Sequence, residues 1–248
     1  MMTVIGARGN VRSGPEHGPG GDSEEIGVID LRREGEVFVL RFDDGENRFG
    51  PAFLDGVGEA LDEVEKAGSP RALVTTGTGK FYSNGLDLDW LGANGDRFQE
   101  YLGRIHALFA RLLELPMPTV AAVNGHMFAG GGMLALCHDA VVMRSGRGYF
   151  CLPEADLGMR FTPGMNALLK ARLTAPVAHE AMVTGRRYTA EEAQAAGIVA
   201  RTAGEADVLP AAIEMAAVQA GKDGSVVGGI RADLYATVIG TLRGPALG

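Results

Sequence analysis

AAVNGHMFAGGGMLALCHDAVVM, Ala121–Met143, is an apolar strand that runs into a glycine cluster and then into a helical apolar run. Gly130–Gly132 stand where that helix begins. A helix start presents backbone N–H groups that lack intrahelical acceptors, at the positive end of the macrodipole. Glycine has no Cβ, so a ligand oxygen can come close to such a backbone. KFYSNGLDLDWL, Lys80–Leu91, repeats the design of an apolar strand leading into a glycine turn. Two such turns side by side supply two N–H groups to one developing oxyanion. The plainer alternative is that the glycines only permit close packing of helix on strand, and a lone triplet more often means that.

Outward from this pair, strands alternate with helices. IGVIDLRRE and EVFVLRFD read as two strands joined at Glu34-Gly35. ENRFGPAFLDGVGEALDEVEKAG reads as a loop followed by an amphipathic helix with Phe53, Val57, Leu61 and Val64 on one face. RALVTTGTG and TVAAVNG read as buried strands, separated by the long helix FQEYLGRIHALFARLLELP, which Pro116 and Pro118 stop. AVVMRSGRGYFCLPE adds a strand, a turn and a short strand. NALLKARL, PVAHEAMVTG and AEEAQAAG are helical. The tail from Asp207 is helical again, with a glycine-rich break near Gly221–Gly229. This alternation predicts an α/β fold with crossover connections. Residues 1–25 are rich in Gly, Pro and charge without periodicity, and read as a disordered leader. The expected organisation is that leader, an α/β core over 26–206 and a helical C-terminal region over 207–248.

Composition narrows the function. The chain has 248 residues, 46% of them hydrophobic, enough for one sizeable core. Its net charge of −8 argues against a nucleic-acid partner. No apolar run reaches the length of a membrane span, and the N-terminus lacks a charged-then-apolar signal, so a cytoplasmic location is expected. Cys137 and Cys151 are too few for a disulfide framework, and with only five histidines in the chain the pair Cys137-His138 makes a poor zinc site. GTGK, Gly77–Lys80, is not a phosphate-binding loop, because Phe81 stands where Ser or Thr is needed. Tyr82 breaks the dinucleotide fingerprint, and neither a G-x-S-x-G elbow nor H-E-x-x-H occurs.

ENRFGPAFL, ALVTTGTGKFYSNGLDL, VAAVNGHMFAGGGMLALCHD, FCLPEADLGM and VTGRRYTAEEAQAAGIV follow one another in that order. Each block alone is weak. Together they resemble the crotonase, or enoyl-CoA hydratase/isomerase, superfamily from about Val37 to Ala200. The resemblance implies a fold of repeated ββα units with a helical C-terminal trimerisation region, and a homotrimer or dimer of trimers. It implies an acyl-CoA thioester substrate and no separate cofactor, coenzyme A being part of the substrate. It assigns the two oxyanion-hole donors to the backbone N–H groups of Leu86 and Gly130. It lays the acyl-CoA across Asn47–Phe49 and Ser83–Leu86, so that Asn47, Phe49, Ser83, Asn84, Gly85, Gly131 and Met133 are expected to bind substrate.

The acid/base positions discriminate among reactions. Hydratases of the family carry one glutamate three residues after the Gly130 position and another in P-E-x-x-L-G. Here the first is Met133 and the second is Glu154. That pattern resembles the Δ3,Δ2-enoyl-CoA isomerases, and RFGPAFLD, FYSNGLDLDWL and HDAVVMRSGRGYF resemble the group known from plant peroxisomes. One carboxylate can take a proton from C2 and return one to C4, whereas hydration needs water activated and a proton delivered in concert. A base in an apolar pocket, with Phe128, Met133 and Phe161 as candidate walls, should have a raised pKa. Asp87 reads as a loop-fixing acceptor, Asp139 as structural, His126 as bland, and Trp90 as wall or core. A 2-enoyl-CoA hydratase, another crotonase-family reaction and a non-catalytic acyl-CoA-binding protein stay open as alternatives.

Overall fold

Residues 28–246 are described by a computed structural model, and the leader expected over 1–25 lies outside them. β1 (Ile29–Glu34) and β2 (Val37–Phe42) form an antiparallel hairpin that turns at Gly35 with φ 62°. α1 (Pro51–Lys66) starts on a proline, whose missing N–H would be an orphan there anyway. Its Phe53, Val57, Leu61 and Val64 are all buried, as the spacing predicts. Then come β3 (Ala72–Gly77), β4 (Phe81–Ser83), α2 (Leu88–Ala93) and α3 (Phe98–Glu114). β5 (Thr119–Val123), β6 (His126–Phe128) and α4 (Gly130–Leu136) follow, then β7 (Ala140–Arg144), β8 (Phe150–Cys151) and α5 (Pro163–Arg172). The chain continues through α6 (Ala175–Thr184), α7 (Ala190–Ala195) and β9 (Arg201–Ala203) to α8 (Val208–Ala217), α9 (Gly224–Leu234) and α10 (Ala236–Leu242).

Three times the chain lays one strand in a large sheet, the next in a small sheet, and then a helix. The large sheet has the order β1-β2-β3-β5-β7-β9, parallel from β2 onward, and the small one is parallel β4-β6-β8. These are the expected ββα units. The small sheet is the part that sequence periodicity hides, because strands of two or three residues show no alternation.

Both faces of the large sheet are covered. Phe38, Leu40 and Phe42 point into the main core with α1 and α3, while Val37 and Val39 point the other way. On that second face they meet Val208, Ala211, Ala212 and Ala216 of α8. α8 therefore belongs to the core's own layers, although the tail from Asp207 reads as a separate helical region. α10 buries Val238, Ile239 and Leu242 in the main core, so of the tail only α9 lies outside the layers. Arg231 of α9 is buried, and its guanidinium donates to Leu115 O at 2.8 Å, Met117 O at 3.0 Å and Thr119 Oγ1 at 2.8 Å, with Asp139 Oδ1 at 3.1 Å. This ties the tail to the loop that feeds β5. No helix among the described residues is long and apolar enough to cross a membrane.

Candidate active site

The site forms where two chain reversals meet. β4 leaves the small sheet through Gly85, whose φ of 78° only glycine adopts at low cost. A Cβ on Gly85 would lie 2.6 Å from the nitrogen of Gly130, so the two turns touch. β6 reverses into α4 at Ala129, a non-glycine residue with φ 48° and ψ −123°. Glycines at the start of α4 are a packing requirement as well. A Cβ on Gly131 would sit 2.2 Å from Ser83 O, and one on Gly132 2.9 Å from the Phe150 ring. The packing reading thus accounts for all three glycines, since a Cβ on Gly130 would lie 2.8 Å from the Phe49 ring.

Around the first turn, most backbone N–H groups are taken. Asn84 N–H donates to Glu46 O at 2.9 Å, Gly85 N–H to Ser83 Oγ at 3.1 Å and Asp87 N–H to the Tyr101 hydroxyl at 2.8 Å. Leu86 N–H and Gly130 N–H have no acceptor among the described residues. Two unpaired donors on touching turns are the geometry of a small anion-stabilising pocket.

Glu154 lines the same cavity as Leu86, from the turn after β8, which is held by Leu157 N–H to Pro153 O at 3.0 Å and Met159 N–H to Glu154 O at 2.8 Å. Its residue is 7% exposed and its Oε2 is buried without a partner. Burial pushes the carboxyl up to about 7 from an ordinary 4.5, while its own backbone N–H pulls the other way. A cavity of about 410 Å³ joins it to the turns, walled by Leu86, Phe98, Leu102, Phe128 and Met165. Arg48, Arg160 and Arg187 also line it, giving a mainly apolar chamber with cationic groups. Asp89 is the cavity's other carboxylate, but its side chain is 88% exposed and paired with Arg48 at 2.5 Å.

The expected site residues separate into two sets. Glu154, Leu86 and Asn84 line the cavity. Asn47, Phe49, Ser83 and Met133 are fully buried behind its wall, and Gly85, Gly130 and Gly131 are likewise buried and do not line it. Met133 and Phe161 join the main core, and of the three candidate walls only Phe128 lines the chamber. Trp90 packs on Tyr101 with ring centroids 5.1 Å apart and is not a wall. Asp87 caps α2 by accepting Trp90 N–H at 3.1 Å, and Asp139 accepts Thr119 N–H at 2.8 Å. His126 stacks on Tyr149, its pKa lowered by burial and by Lys80, Arg147 and Arg187. Sequence reasoning misses Phe98, Leu102, Thr162, Met165 and Arg187. In sequence Phe98 and Leu102 are ordinary members of an amphipathic helix, and nothing marks them as cavity residues.

The family model described as enoyl-CoA hydratase/isomerase matches residues 32–237. The chain belongs to the enoyl-CoA hydratase/isomerase family. Enoyl-CoA delta isomerase 2, peroxisomal, of Arabidopsis thaliana is 36% identical over 226 residues, covering 86% of this chain and 94% of its own. Enoyl-CoA delta isomerase 3 of the same plant is 36% identical over 83% of this chain and 91% of its own. Among solved structures, a probable enoyl-CoA hydratase of Mycobacterium tuberculosis superposes with TM-score 0.83 at 28% identity, over 88% of this chain and 93% of that one. A second, apo structure of that same protein, described as an enoyl-CoA isomerase, gives TM-score 0.81 at 28% identity, over 87% and 94%. Both reaction names thus attach to one solved protein, so the fold likeness does not by itself separate the two reactions.

Proposed function

We propose that the protein is a Δ3,Δ2-enoyl-CoA isomerase that uses Glu154 as its single acid/base. The observation that carries this is the one buried carboxylate among the described residues, with an unpaired oxygen, in an apolar cavity that Leu86 and Ala129 also line, at the two touching turns whose Leu86 and Gly130 N–H groups have no internal acceptor. The thioester oxygen accepts from Leu86 N–H and Gly130 N–H. Glu154, as carboxylate, takes a proton from C2, and the electron pair moves into a dienolate whose oxygen charge those donors stabilise. The protonated Glu154 then returns a proton to C4, and the double bond ends conjugated with the thioester. A pKa of about 7 suits both halves, since the group must accept and release a proton at the same pH. Hydration would need a second acid/base. Met133 offers none, and Asp89 is exposed and ion-paired.

Side-by-side assays on 3-enoyl-CoA and 2-enoyl-CoA, followed by conjugated thioester absorbance, test the proposal. The 3-enoyl substrate should isomerise much faster than the 2-enoyl compound is hydrated. Efficient hydration without isomerisation would overturn the assignment. We extend the proposal to assembly as a homotrimer or dimer of trimers. α9 leaves Val226, Ile230 and Leu234 exposed, an apolar edge that a second copy would cover. A clean monomer by light scattering at micromolar concentration would refute that extension. The cytoplasmic location also stays a proposal, since one of the relatives above is peroxisomal by name.

A further inference from the structure

We infer that Asn47 is a positioning residue for the oxyanion hole: it holds Glu46–Phe49 as a splint that aims the Leu86 N–H. The inference rests on the proposed use of Leu86 and Gly130 as donors. It replaces a substrate-binding role for Asn47, whose side chain has no exposure to the cavity.

The argument starts from the peptide plane. The carbonyl of Gly85 and the N–H of Leu86 belong to one planar trans unit, so they point in opposite directions. Whatever fixes the carbonyl fixes the N–H. Phe49 N–H donates to Gly85 O at 2.8 Å, and one residue earlier Asn84 N–H donates to Glu46 O at 2.9 Å. Glu46–Phe49 thus runs beside the turn as a short parallel strand, bridged at Arg48 and Gly85.

That splint is itself held by Asn47. Its backbone takes φ 51°, a left-handed conformation that asparagine tolerates better than other side-chain-bearing residues. Its Nδ2 donates to Phe81 O and Tyr82 O, both at 3.1 Å, and its Oδ1 accepts Asp44 N–H at 2.8 Å. Its carbonyl accepts the Ser83 hydroxyl at 2.7 Å, and the same hydroxyl oxygen accepts Gly85 N–H at 3.1 Å. One buried residue therefore clamps β4 through two carbonyls and reaches the turn by a hydroxyl relay. The splint also touches the second donor, since a Cβ on Gly130 would lie 2.8 Å from the Phe49 ring. The relative placement of both N–H groups is referred to this one segment.

Two variants separate positioning from bulk folding. Asn47→Gly keeps the positive φ and removes the clamp, and Ser83→Ala keeps the clamp and cuts the relay. Removing a whole oxyanion donor costs about 10²–10³ in kcat, so misaiming one should cost about 10- to 100-fold for Asn47→Gly and less for Ser83→Ala. KM should move far less than kcat. The direct readout is the carbonyl ¹³C resonance of bound hexanoyl-CoA labelled at C1. In the unmodified protein it should shift downfield on binding, and that shift should shrink in both variants in the order of their kcat losses. A folded Asn47→Gly protein with an unchanged carbonyl shift overturns the inference, whatever happens to kcat. Should Asn47→Gly fail to fold, an unchanged shift in Ser83→Ala overturns it instead. No shift in the unmodified protein would remove the oxyanion reading of Leu86 and Gly130, and this inference with it.

Discussion

Two buried polar residues flank the cavity and are treated in opposite ways. Asn47, in the splint, has each polar side-chain atom hydrogen-bonded and makes no contact with the chamber. Glu154, in the turn after β8, keeps a carboxylate oxygen buried without a partner. Full satisfaction makes a residue rigid and chemically silent, whereas an unsatisfied buried carboxylate stores a raised proton affinity. The site is built by a pairing of the two, one residue that fixes geometry and one left reactive.

The largest expected effect breaks the comparison on the reactive side. Glu154→Gln keeps the shape and removes the base, and kcat should fall by at least about 10², the low end for a positioned general base. Steady-state assay gives the number, and isothermal titration with saturated acyl-CoA should show nearly unchanged binding. Near-normal turnover would move the base elsewhere.

On the satisfied side, Asn47→Ala strands Asp44 N–H and Tyr82 O, leaves Phe81 O with only Asn124 Nδ2 at 3.3 Å, and forces alanine into positive φ. It should lose about 3 kcal/mol or more of stability in denaturant melts. Asn47→Gly should be milder by about 1 kcal/mol, because only the lost bonds remain. Equal losses would mean that the backbone conformation contributes nothing.

The pH dependence of stability sharpens the contrast. The folded pKa of Glu154 lies near 7, above the unfolded value near 4.5. Its contribution is therefore fully present below the unfolded value and is lost as pH rises through 7, roughly 3 kcal/mol at about 1.4 per unit. Glu154→Gln should accordingly melt higher than the parent above pH 7, with the advantage fading toward pH 4.5. In the parent, kcat/KM should rise through about pH 7 as the base ionises. A pH-independent stability difference would contradict the raised pKa.

The smallest effect concerns the second turn. Ala129 holds φ 48° with a Cβ, and glycine there should raise stability by about 0.5–1 kcal/mol, read by thermal melting. A loss would show that the Ala129 methyl packs better than its backbone strain costs.

Much of this is legible in the sequence. The stripe Phe53, Val57, Leu61 and Val64 gave α1, and the glycine run gave the start of α4, because both signals are local and periodic. The small sheet was not legible as a sheet, since Phe150–Cys151 is too short to show alternation and its partners lie far apart in the chain. α8 packs with small alanines, whose pattern does not say which surface they will meet. Met133 shows the limit of positional resemblance. It stands where hydratases of the family carry a glutamate, but an unbranched thioether finds better company in the core. The role inferred for Asn47 depends on which carbonyls a side chain reaches, and no residue pattern encodes that.

Arg231 carries a consequence for the chain's birth. Its guanidinium completes the hydrogen bonding of Leu115, Met117 and Thr119, which precede it by 116, 114 and 112 residues. On a ribosome adding about 5–20 residues per second, those three residues emerge roughly 5–20 s before their partner exists. During that interval the carbonyls of Leu115 and Met117 lack the guanidinium that later binds them. A strand in the middle of the large sheet, paired on both sides, thus has its entrance finished by a segment made much later, and a nascent chain stalled before α9 would leave the Leu115 and Met117 carbonyls without that donor.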